Sequence, residues 1–130
     1  MLFTMVEDPI SLHRAAAALM NRGPLQGGQM PVVSFERLEL SRILAVYGRM
    51  VAAGEWRDYA LDFLADTAVF SIFRHSSEMA LYRIEKRPRA RHRQGQYAVI
   101  AAGGLVMKRG HDLIHVLKVF DAKLLKALKA

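Results

Sequence analysis

Cysteine does not occur in the 130-residue chain, which removes disulfides, thiolate metal sites and a cysteine nucleophile together and agrees with a reducing compartment. No stretch reaches the roughly 20 apolar residues of a membrane span. The beginning, M-L-F-T-M-V-E-D-P-I, carries no basic n-region and meets Glu7 and Asp8 before any long apolar run. The expectation is a soluble, cytoplasmic protein without a membrane partner. Nucleotide-loop signatures are missing too. A-A-G-G-L at residues 101–105 has neither the P-loop lysine pattern nor a complete G-x-G-x-x-G, so a hairpin turn accounts for its glycines. No helix-turn-helix, finger or RNP pattern is present to support base-specific readout of nucleic acid. There is no internal repeat.

Apolar residues make up 52% of the chain, enough for a globular domain with its own core at this length. Asp8-Pro9 reads as an N-cap followed by an N1 proline, opening a short helix to about Asn21. Residues 22–31, R-G-P-L-Q-G-G-Q-M-P, are dense in glycine and proline and read as a linker. This divides the chain into an N-terminal extension, residues 1–30, that folding does not need, and a single domain, residues 31–130.

The domain is organised around residues 34–63. Ser34 is the expected N-cap of a helix, with Val33 and Leu38 at the staple positions and Glu36 and Glu39 at the positive end of the dipole. At 100° per residue Leu40, Ile43, Leu44, Tyr47, Met50 and Val51 share a core face. Gly54 stops the helix, and Trp56 folds back onto its last turn as a core anchor. Period-two alternation then predicts strands at residues 58–64, 69–74, 80–86 and 97–101, with a short fifth at 105–108. From about Gly110 one final helix is expected, with Leu113, Leu117, Phe120, Leu124 and Leu128 as its stripe. The predicted fold is α+β: an antiparallel meander of four or five strands, with the first and last helices packed on one face.

Four separate blocks of this sequence resemble a known family. They are Y-G-R-M-V-A-A-G-E-W-R-D-Y at residues 47–59, L-Y-R-I-E-K at 81–86, Q-G-Q-Y at 94–97 and A-A-G-G-L-V-M-K-R-G-H-D-L at 101–113. The family is the uncharacterised alphaproteobacterial one catalogued as domain of unknown function 2794, and the likeness spans roughly residues 31–120. The resemblance implies a small intracellular bacterial domain. It brings no reaction, cofactor or partner.

Two constellations suggest chemistry. His111 and His115 stand four apart, the spacing at which two helical histidines reach one zinc ion, with His75 the candidate third ligand. Asp112, however, replaces the glutamate of H-E-x-x-H, and capping with solvated histidines is the simpler reading. Glu55, Arg57, Asp58 and Asp62 supply carboxylates of the kind acid–base catalysis uses, yet alternate strand residues on a solvent face explain them as well. An enzyme built on Glu55, Asp58 or His111 is therefore the lesser alternative, and neither a catalytic residue nor a cofactor is assigned.

Charge is the stronger signal. Residues 1–82 hold 7 Arg and 9 acidic residues, net −2, whereas residues 83–130 hold 12 basic and 3 acidic, net +9. Within R-I-E-K-R-P-R-A-R-H-R, six basic residues face one glutamate, and Pro88 makes a poor strand after Lys86. An exposed basic loop follows, with Arg83, Lys86, Arg87, Arg89, Arg91 and Arg93 as anion-binding candidates. Lys108 and Arg109 join from the next strand, and Tyr82 and Tyr97 are placed for stacking. Clustered guanidinium groups suit phosphates and carboxylates, so the expected partner is an anionic macromolecule, either an acidic protein or a nucleic acid bound without sequence preference.

Overall fold

The computed structural model describes residues 31–75 and 79–129. The predicted short helix and linker, and most of the turn after Arg74, fall outside them. Helix α1 (Arg37–Ala52) is followed by β1 (Asp58–Phe63), β2 (Ala68–Phe73), β3 (Tyr82–Lys86), β4 (Tyr97–Ala101) and β5 (Val106–Gly110). Two helices, α2 (Leu113–Leu117) and α3 (Val119–Lys129), complete the chain. All five strands pair antiparallel with their sequence neighbours, in the order β1-β2-β3-β4-β5. This is the predicted α+β meander. Among the described residues no helix is long and apolar enough to cross a membrane.

The start of α1 differs from the expectation. Its N-cap is Glu36 rather than Ser34, and the Glu36 N–H donates to Glu39 Oε1 at 2.7 Å. The staple positions therefore belong to Phe35 and Leu40, both buried, while Leu38 is exposed. The two-residue shift goes with packing: Phe35 is fully buried in the core, and Val33 packs half-buried against it. The core face is as read, with Val46 added and Val51 partly buried.

At the other end Gly54 has φ +78, a left-handed value that costs glycine nothing. Its N–H donates to Val51 O at 2.9 Å, and the Glu55 N–H to Met50 O at 2.9 Å, the double bond of a Schellman stop. Trp56 then turns back as expected and is 2% exposed, with its ring centroid 6.1 Å from Tyr47 and 4.9 Å from Phe120.

Strand register decides the core. Leu61, Phe70, Ile84 and Val99 lie opposite one another across four strands on the face that meets the helices; the last three are buried in the core and Leu61 packs against it. The neighbouring row runs Phe63, Ala68, Lys86, Tyr97, Gly110. A lysine thus sits in a core-facing row.

The C-terminal segment is broken where one helix was expected. Gly110 still pairs with Tyr97, and Asp112 caps α2 by accepting the Ile114 N–H at 3.1 Å. A turn at Lys118 separates α2 from α3, so that Leu113, Val116, Leu117 and Phe120 all reach the core. Beyond Leu124, α3 leaves the core, and Leu128 is exposed rather than part of a buried stripe. The fifth strand begins one residue later than expected, after a 3-10 turn at Ala102–Gly104, and runs two residues further.

Candidate anion-binding loop

The segment joining β3 to β4 is short of ladder bonds but rich in local ones. The Arg87 N–H donates to Gln96 O at 2.6 Å, closing its base. A 3-10 turn, Pro88–Ala90, follows, and the Ala90 carbonyl accepts three N–H groups, from Arg93 at 3.0 Å, Gln94 at 3.2 Å and Gly95 at 3.0 Å. Gly95 has φ +99, and a Cβ there would lie 2.2 Å from the carbonyl carbon of Gly110. Only glycine permits that approach, which holds the loop against the end of β5.

The candidate cations have different surroundings. Lys86 is buried: its Nζ donates to Glu39 Oε1 at 2.8 Å and to Ser34 O at 3.1 Å. Glu39 Oε2 accepts the Tyr97 hydroxyl as well, so this carboxylate joins α1, β3 and β4. Burial and the hydrogen bond to Glu39 push the Tyr97 phenol well above its ordinary value. Glu85, on the other face of the sheet, holds two arginines, with Oε2 3.4 Å from Arg83 Nε and Oε1 3.3 Å from Arg87 Nε. Arg87 Nη1 also lies 3.5 Å from Asp66 Oδ2.

Arg89, Arg91 and Arg93 are exposed, and among the described residues no carboxylate pairs with them. Arg91 Nε instead donates to His92 Nε2 at 3.1 Å. Arg109 lies opposite Ala98, which lies opposite Glu85, placing it on the Arg83 side of the sheet; Lys108 lies opposite Val99 and is exposed. Between the turn and the β1–β2 connection is a cleft of about 280 Å³, lined by Asp66, Arg87, Arg89, Ala90, Arg93 and Gln94.

The tyrosines expected to stack on a partner serve the fold instead. Tyr97 is 7% exposed, and the Tyr82 ring, at the far end of β3 from the loop, packs against Phe120 with centroids 5.2 Å apart. Asp66 and Gln94 were not foreseen as lining residues. Asp66 could have been found from hairpin register: Ala68 pairs with Lys86, so two residues back on one strand meet two residues on from the other.

Over residues 33–117 the chain matches the family model described as "Protein of unknown function (DUF2794)". The chain belongs to the DUF2794 family. No curated protein and no solved structure matches it. The DUF2794 match takes in the Arg87–Gln96 loop, the Glu39–Lys86–Tyr97 contact and the capped α2, and it stops short of α3.

The residues of the two other constellations of this DUF2794 chain have local surroundings of their own. His111 precedes the Asp112 cap, so it does not share a helical face with His115, and both are exposed. Among the described residues no group of three His, Asp or Glu side chains is placed to hold a metal ion. Glu55 Oε1 lies 4.0 Å from Arg74 Nη2, and Asp58 Oδ1 accepts the Tyr59 N–H at 2.8 Å. Asp58 and Asp62 sit on the same face of β1, about 13 Å apart along the strand at the usual rise, too far to share a proton.

Proposed function

We propose that this DUF2794 protein is a non-enzymatic binding domain of the bacterial cytoplasm that contacts an anionic macromolecule through Arg89, Arg91 and Arg93. One observation carries the reading: three guanidinium groups stand on a loop fixed by backbone bonds and by the Gly95–Gly110 contact, and among the described residues no carboxylate pairs with them. Ordering long side chains normally costs entropy at binding, and a fixed backbone lowers that cost. Arg83 and Arg87 already have carboxylates, and Lys86 is buried, so they contribute to the local field or to the fold rather than as first contacts.

With Tyr82 and Tyr97 engaged in the core, a nucleic-acid partner would be held by its phosphates and not by stacked bases. The test is fluorescence anisotropy against a single-stranded oligonucleotide and against polyglutamate, each at several salt concentrations. Replacing Arg89, Arg91 and Arg93 together by Gln should leave stability within about 0.5 kcal/mol, as exposed positions do. The same change should weaken the bound probe at least tenfold. For the oligonucleotide, the salt slope should become shallower by about 0.7 per lost phosphate contact. Equal affinity and equal salt slope for the variant and the native chain would leave the loop as a solubility device.

A further inference from the structure

We propose that the cleft beside the Arg87–Gln96 loop is a seat for one phosphate group, and that Asp66 is the resident carboxylate that such a group displaces. The inference rests on the anion-binding reading of the loop and adds a location, a ligand class and a residue that tunes affinity.

The lining chemistry selects the ligand. The lining brings together Arg87, next after β3, Arg89 and Arg93, which flank Ala90 in the sequence, and Gln94. Planar guanidinium forks bind tetrahedral oxyanions with two parallel bonds each, which a single carboxylate cannot satisfy from three directions. The volume of about 280 Å³ holds a phosphate with part of its hydration shell, at about 30 Å³ per water.

Asp66 marks the anion position. Its Oδ2 lies 3.5 Å from Arg87 Nη1, at the outer limit of a hydrogen bond, and both side chains are about half exposed, at 54% and 42%. Such a pair is weak and exchanges readily. When it opens, Arg87 remains oriented by Glu85 at 3.3 Å, so the seat keeps its shape without Asp66. A bound phosphate carries more charge than the carboxylate and gains two further guanidinium partners, but it feels repulsion from the displaced Asp66. Neutralising Asp66 should therefore strengthen phosphate binding, the opposite of what loss of a ligand-binding residue does.

The experiment uses the full chain and follows the arginine Nε–Hε resonances by NMR during titration with inorganic phosphate, with pyrophosphate and with an unphosphorylated-end single-stranded oligonucleotide. Asp66→Asn should raise affinity roughly five- to tenfold, the scale expected for removing one like charge near a partly exposed site. Arg93→Gln should abolish the phosphate response, and Lys126→Gln, an exposed position on α3 that does not line the cleft, should leave it unchanged. Binding of pyrophosphate without the oligonucleotide assigns the seat to a free phosphoryl compound; an Asp66→Asn gain with the oligonucleotide assigns it to backbone phosphate. The proposal is overturned if Asp66→Asn leaves affinity unchanged or lowers it, or if no phosphate probe shifts Arg87, Arg89 or Arg93. If the oligonucleotide still binds through Arg89, Arg91 and Arg93 in that case, the loop reading survives and only the cleft is lost.

Discussion

Lys86 and Glu39, 47 residues apart in the chain, meet with Nζ 2.8 Å from Oε1 and side chains only 10% and 12% exposed. The contact locks the first turn of α1 onto the core-facing row of β3. Removing one member of such a pair strands the other. Lys86→Met should therefore cost about 3 kcal/mol or more. Adding Glu39→Gln, whose amide oxygen still accepts the Glu36 N–H while its NH2 faces the Tyr97 hydroxyl and the charge is lost, should recover part of that. Urea midpoints of the two variants decide it: a double variant less stable than Lys86→Met would show that the carboxylate is stabilised without the lysine.

Tyr47 provides a test of opposite sign. Its ring packs among Trp56, Tyr59 and Phe70, but among the described residues its buried hydroxyl has no hydrogen-bond partner. Tyr47→Phe keeps the ring and removes the stranded hydroxyl, so the protein should gain about 1 kcal/mol at neutral pH.

Burial, aided by Asp58, pushes the Tyr47 and Tyr59 phenols above their ordinary 10.0, and Tyr97 is raised in the same direction. The unfolded chain ionises its tyrosines near pH 10 while the folded one keeps these three neutral. Their contribution is thus fully present below that pH and is lost as pH rises toward the folded values. Unfolding free energy measured from pH 8 to 11.5 should fall most steeply above pH 10, and less steeply in Tyr47→Phe. Parallel curves for the two proteins would place the tyrosine titration elsewhere.

Gly95→Ala combines a left-handed backbone with a Cβ that would overlap the Gly110 carbonyl carbon at 2.2 Å. The neighbour is backbone and cannot turn aside, so a loss of at least about 2 kcal/mol is expected. Hydrogen exchange should then rise at Gln94, Gly95 and Gln96, where the loop separates from β5. Unchanged protection at these amides would mean that the contact does not hold the loop.

Trp56→Ala should cost about 3 to 5 kcal/mol, because a nearly fully buried indole contacting the rings of Tyr47, Tyr82 and Phe120 leaves a large cavity. Thermal unfolding followed by far-UV circular dichroism measures it. A melting temperature within a degree or two of the native chain would require the three surrounding rings to close over the gap.

The sequence by itself determined the order of elements, the meander, the Gly54 stop, the buried Trp56 and the exposed basic loop. These depend on local chemistry: apolar period, glycine at a left-handed stop, proline after a strand. The helix start was misplaced by two residues because Ser34 is a good cap in isolation, while the cost of leaving Phe35 outside the core is felt only once the sheet is present. Lys86 shows the same limit. Period two, which puts Tyr82 and Ile84 inward, puts Lys86 inward as well, but its charge argued for solvent, and nothing local showed that Glu39 and Ser34 O would be waiting there. Glu85 reaches Arg83 and Arg87 as a neighbour two residues away, but only the tertiary structure decided that Glu39 meets Lys86 and Asp66 meets Arg87, through helix packing and strand register. The arginines without a carboxylate partner among the described residues of the loop, Arg89, Arg91 and Arg93, are a smaller set than the sequence could name, because composition records how many charges a segment holds and only the fold places a counter-charge within reach.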